Sequence, residues 1–123
     1  MAKAKWPKLP SYAVPLFNSG RIYLCRSRGE FREAMRAIGV DPGNVDSLNG
    51  LCRHYENEDS GENIYVLGVF NGSDSTLVHE CAHATFFVCH DFGVKVDTGS
   101  ANETYCYMLD RMFSHFLQYL KQE

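Results

Sequence analysis

A chain of 123 residues is about the modal size of one domain and leaves little room for a second. With 45% hydrophobic and 22% charged residues it has the material for a packed core, which excludes a disordered chain. Lys and Arg number 12 against 15 Asp and Glu, a net charge of −3, which argues against a nucleic-acid partner. The longest apolar runs, Ile64 to Phe70 and Phe86 to Cys89, fall far short of the roughly 18 residues that span a bilayer, so no membrane partner is expected. The basic start MAKAKWPKLP has no apolar stretch behind it; no signal peptide is read and a cytoplasmic location is expected.

Residues 1–11, with three lysines and two prolines, read as a flexible arm, and residues 12–123 as a single domain. Arg21 to Cys25 reads as a first strand. Phe31, Met35 and Ile38 then share one face of a short helix stopped by Gly39. Turn residues fill 41–49. Leu51 to Glu56 and Ile64 to Phe70 read as a hairpin, the second strand buried on both faces and the first an exposed edge. A helix follows from about Ser75 to Asp91 with Gly93 as its stop, and a last helix from about Ala101 to Lys121. The fold class is therefore α+β: a short, mostly antiparallel sheet packed on two long helices. Cys25, Cys52, Cys81, Cys89 and Cys106 are odd in number and form no C-x-x-C pair; all are expected reduced and packed as small hydrophobes.

The first long helix carries His79-Glu80-Cys81-Ala82-His83. At about 100° per residue the two histidines lie about 40° apart and one turn along, so both imidazoles reach one metal ion. Glu80 lies about 100° round from His79, close to where a metal-activated water would stand. On the wheel Val78, Cys81, Ala82, Thr85, Val88 and Cys89 cluster, with His79, His83, Phe86 and His90 roughly opposite. A polar stripe facing away from an apolar cluster also describes ordinary solvent surface.

A catalytic zinc takes three protein ligands, so a third is sought. His90 lies about 10.5 Å along the axis from His83, too far to share an ion, and Cys89 is rotated from His83 by about 240°. Phe86 and Cys89 stand where the metzincin pattern needs Gly and His, which excludes that family. Glu103 opens the last helix, 20 positions after His83, enough for a turn and a returning helix. Its stripe continues through Tyr107, Asp110 and Ser114, with Tyr105, Leu109, Met112, Phe116 and Leu120 opposite. Asp97 remains a rival through its turn, and an acidic residue at a helix start is also favoured by the macrodipole alone.

HECAH followed at this distance by Asn102-Glu103 resembles the gluzincin group of zinc metallopeptidases, and most of all the small H-E-x-x-H metallopeptidases encoded by bacteriophages and prophages. The resemblance covers about Ile64 to Met112. It implies a small zincin-like domain with one Zn2+ held by His79, His83 and Glu103, and Glu80 as general acid and base. Thermolysin-like members also carry an Asp one turn after the ligand Glu. Tyr107 stands there in this chain, which leaves Asp110, a further turn on, as the candidate carboxylate behind the ligands. Tyr107 is the first candidate for stabilising the oxyanion; His54 and Tyr55 on the edge strand are candidate substrate contacts. The expected activity is hydrolysis of a peptide or protein substrate, which could add to the edge strand by main-chain hydrogen bonds. The competing expectation is a zinc-stabilised, non-catalytic phage-type protein that binds a partner. The apolar bulk of the last helix suits a homodimer or protein contact.

Overall fold

The computed structural model describes residues 5–15, 20–56, 60–99 and 101–120. In chain order the elements are β1 (Ser11–Ala13), β2 (Gly20–Cys25), α1 (Arg28–Ala37), β3 (Gly50–Glu56), β4 (Asn63–Val69), α2 (Asp74–Asp91) and α3 (Glu103–Leu120). The strands form one sheet in the order β1-β2-β4-β3. The α+β class expected from the sequence is what the chain adopts. Two of the three pairings are antiparallel, and β2 runs parallel to β4.

The parallel pairing follows from the intervening chain. α1 and β3 both lie between β2 and β4 in sequence, so β2 joins the free side of an already formed hairpin. The hairpin itself is as expected, with His54 opposite Tyr65 and Cys52 opposite Leu67. β4 is an interior strand, as is β2, and β3 is an edge.

Alternation along β4 divides the core in two. Tyr65, Leu67 and Val69 face α2 and α3 together with Ile22 and Leu24; Val66 faces α1 together with Cys25 and Leu51. From α2 the first cluster takes Leu77, Cys81, Ala84, Val88 and Cys89, and from α3 Met108, Met112 and Phe116. Phe31, Ala34 and Met35 are the buried face of α1. Helix ends are held locally. The Ser27 side chain accepts from the Glu30 amide at the start of α1. At the end of α2, Gly93 takes φ 67° and the Val94 amide reaches back to the Cys89 carbonyl, closing a left-handed cap.

Several expectations are corrected. The arm is packed from Trp6 onward: Trp6 and Leu9 lie against the α1-side cluster, and Pro10 accepts from the Leu24 amide. Residues 1–4 lie outside the described residues. β1 was not foreseen. Ile38 closes α1 as a cap residue, 36% exposed, because the helix ends one residue before it. Val78 is exposed on α2, and Cys106 is exposed while Cys89 is buried. The apolar bulk of α3 goes into the core, with Phe113, Leu117 and Leu120 partly buried against it. All five cysteines are free thiols.

Phe116 is fully buried and meets Tyr12 of β1 edge-on at 6.4 Å. Phe116→Ala is expected to lower stability by about 3–5 kcal/mol, read from urea denaturation.

Candidate metal centre

α2 crosses the sheet face with its first half over the start of β3 and its last turn over the middle of that strand. A Cβ placed on Gly50 would stand 2.6 Å from Thr76 Cγ2, 2.8 Å from the Gly68 carbonyl and 3.0 Å from Glu80 Oε2. Seven residues on from Glu80, Phe87 stands 6.1 Å from the ring of His54.

The result is a helix with two working faces. His79 and His83 are exposed, while Glu80 between them is turned inward and only 6% exposed. The imidazoles converge, with Nε2 to Nε2 at 3.2 Å and ring planes at 74°. Two nitrogens each about 2.0–2.1 Å from one tetrahedral ion stand about 3.3–3.4 Å apart, so this pair is spaced to share a zinc. Ligand atoms of His79, Glu80 and His83 all lie within 4.8 Å of one another. Among the described residues this is the one group of three or more His, Cys, Asp or Glu that could hold a metal ion.

Glu80 sits against the backbone of Gly50, in a place that exists because that residue has no side chain. Burial raises its carboxyl above the usual value, opposed by the two histidines. The same carboxylate reinforces the effect of burial on the neighbouring thiols Cys52 and Cys81, both pushed up to about 12. These thiols stay protonated at neutral pH and are poor metal ligands. Beside His79 and Glu80 lies a shallow cavity of about 350 Å³ walled by Asn49, Gly50, Ser75 and Thr76. Sequence reading missed Gly50 and these small polar residues. Thr76 was within reach, since it precedes Glu80 by one turn.

The remaining expected residues divide. Glu103 is exposed in the first turn of α3 and stands outside the three-residue group. That turn nevertheless abuts the motif: the Tyr105 hydroxyl donates to the Ala82 carbonyl at 3.4 Å, and its ring lies 4.6 Å from Phe86. Tyr107 is 60% exposed. Asp110 accepts from Ser114 on its own helix at 3.4 Å. Asp97 is occupied by its own turn, accepting from the Gly99 and Ala101 amides; these bonds hold its carboxyl below the usual value. His90 is exposed in the last turn of α2 and outside the group.

His54 and Tyr55 are not a pair. Adjacent strand residues point to opposite faces, and Tyr55 packs on the α1 side. His54 does face α2, but its ring is engaged. It stacks on Tyr65 at 4.7 Å, meets Asn63 Oδ1 at 2.7 Å and stands 3.4 Å from Asp91 Oδ2. The Tyr65 hydroxyl donates to the same Asp91 oxygen at 2.8 Å. This cluster clamps the end of α2 to the hairpin, and the His54 ring is part of the clamp. Among the described residues no helix is long and apolar enough to cross a membrane.

No family model, curated protein or solved structure matches the chain. The likeness to gluzincins therefore stands on the motif and its spacing.

A raised carboxyl has a defined consequence for the metal-free protein. Folded Glu80 holds its proton to higher pH than the unfolded chain does, so its contribution is full below the unfolded pKa and is lost as pH rises through the folded one. Glu80→Gln is thus expected to stabilise the metal-free protein at pH 7 relative to wild type, with the gap closing below about pH 4. Thermal melts across that range, with chelator present, check it.

Proposed function

We propose that the chain is a zinc metallopeptidase that hydrolyses peptide bonds, with His79, His83 and Glu103 as metal ligands and Glu80 as general base. The observation that carries this reading is the buried Glu80 beside two converging imidazoles. With Glu103 as third ligand, a site built only to hold structure has no use for a second carboxylate kept from solvent between the histidines. When bound, a zinc ion supplies Lewis acidity and brings the pKa of a coordinated water to about 7.

The chain's own groups supply the rest. A Glu80 carboxylate oxygen takes the proton of the attacking water and passes it to the leaving amine. A pKa raised toward neutrality suits both transfers. His79 and His83 offer Nε2 from adjacent turns of one rigid helix, so they need little reorganisation to bind. Glu103 joins them by turning its exposed side chain toward the motif, from a helix turn already held there by Tyr105. Tyr107, free in solvent on the same helix, is the donor proposed for the oxyanion.

The alternative is a zinc-stabilised protein without turnover that binds a partner. Its support is the exposure of Phe86 and Phe87 beside His83, 54% and 38%. A zinc site in which Glu80 itself is the third ligand belongs with this reading, since a carboxylate spent on the ion cannot act as a base.

Zinc titration separates these assignments. His83→Ala and Glu103→Gln are each expected to weaken binding at least about tenfold, with Glu80→Gln close to wild type. A larger loss in Glu80→Gln than in Glu103→Gln would transfer the third ligand to Glu80.

Activity is tested by comparing the protein fragments made in cells expressing wild type or Glu80→Gln. Fragments present only with wild type identify a substrate. On that substrate Glu80→Gln is expected to lose about 10²–10⁴-fold in rate while keeping its metal. Equal cleavage by both would remove Glu80 from the mechanism.

A further inference from the structure

On the sheet face away from the histidines, α1 is too short to cover the strands. It shields Val66, Leu51 and Cys25, and leaves the entry to β4 open, where Tyr55 and Ile64 are only half-buried. A cavity of about 710 Å³ results, within the range of small-molecule sites. Tyr23, Tyr55 and Ile64 line it, and Trp6 stands edge-on to Tyr23 at 4.9 Å between ring centres.

Charge is unevenly placed around these rings. Glu56, the last residue of β3, and Glu62, just before β4, both line the cavity. Among the described residues neither carboxylate is in an ion pair. Among the described residues of the lining, Arg36, near the end of α1, is the single cation. The influence of Glu62 reaches the rings: the Tyr23 hydroxyl is raised above its usual value by burial, with Arg21 opposing and Glu62 adding.

We propose that this cavity binds an organic ammonium ion, its alkyl body on the aromatic walls and its charge held by the ring faces and by Glu56 and Glu62. Aromatic faces carry negative charge density and attract a cation placed over them. Two carboxylates against one guanidinium extend the same preference to the rim. A neutral apolar ligand would use the rings and gain nothing from the carboxylates. An anion would have Arg36 and the unpartnered Trp6 indole N–H, and would face both carboxylates. The site is separated from the histidines by the sheet, so it stands or falls independently of the metal.

Trp6 is the one tryptophan in the chain, so its fluorescence reports on the cavity. Choline is titrated into the full-length protein beside 3,3-dimethyl-1-butanol, which has the same shape without the charge. A saturable change is expected with choline, at least about tenfold tighter than with the alcohol. The double variant Glu56→Gln/Glu62→Gln, altered at two exposed positions, is expected to weaken choline binding about tenfold and leave the alcohol unchanged. N-acetyl-lysine amide forms a further arm: tighter binding than choline assigns the site to a lysine side chain, and weaker binding to a free quaternary amine. The proposal is overturned by no saturable response to choline, by an equal response to the alcohol, by choline binding that the double variant leaves intact, or by preferential binding of benzoate.

Discussion

The placement of α2 across the sheet is the constraint on which the rest of the molecule depends. Leu77, Cys81, Ala84 and Val88 anchor it on Tyr65, Leu67 and Val69. With that face buried, helix geometry leaves no choice for the others: His79 and His83 must stand outward, and Glu80 must enter the boundary between helix and edge strand. The convergence of the two histidines is thus a by-product of core packing. No loop has to be ordered to assemble it, and loss of a core contact under α2 would disturb the site before any ligand was touched.

Burying a carboxylate at that boundary opposes stability. The chain limits this cost by bringing Glu80 against a glycine and between two imidazoles that attract its charge. At the far end of the helix the opposite strategy appears. Asp91 accepts from Tyr65 and stands beside His54, a polar cluster whose members are partnered with one another. One end of α2 therefore keeps a carboxylate in tension and the other fixes the helix in place.

Much of this was legible in the sequence. The long helices showed in their periodicity, the hairpin in its two apolar runs around turn residues, and the histidine pair in its i, i+4 spacing. What failed was non-local. β1 is three residues, Ser-Tyr-Ala, whose pairing with β2 no local signal announces. The parallel β2–β4 pairing depends on which edge of the hairpin is free. Ile38 fitted the apolar face of α1 by spacing and was lost because the helix stops at Ala37. In the site, the wheel placed Glu80 near a water but not under β3, because the strand's approach is set by Gly50, 30 positions earlier. The contacts of His54 with Asp91 and Tyr65 were not legible because those partners are distant in sequence.

The sheet order also governs how the chain can assemble. β3, β4, α2 and α3 follow one another from Gly50 to Leu120, each touching its predecessor or the one before. Closing these contacts requires only short loops. β2 meets β4 across about 40 intervening residues, a far costlier closure. The hairpin and its two helices are therefore joined by contacts close in sequence, and β1, β2 and α1 are tied to them by long-range pairing on the open edge and bare face. The histidine pair belongs wholly to the first group, whereas the aromatic cavity draws on Tyr23 and Trp6 from the second. A change that weakens the β2–β4 pairing would open the cavity face and leave the two histidines on their helix.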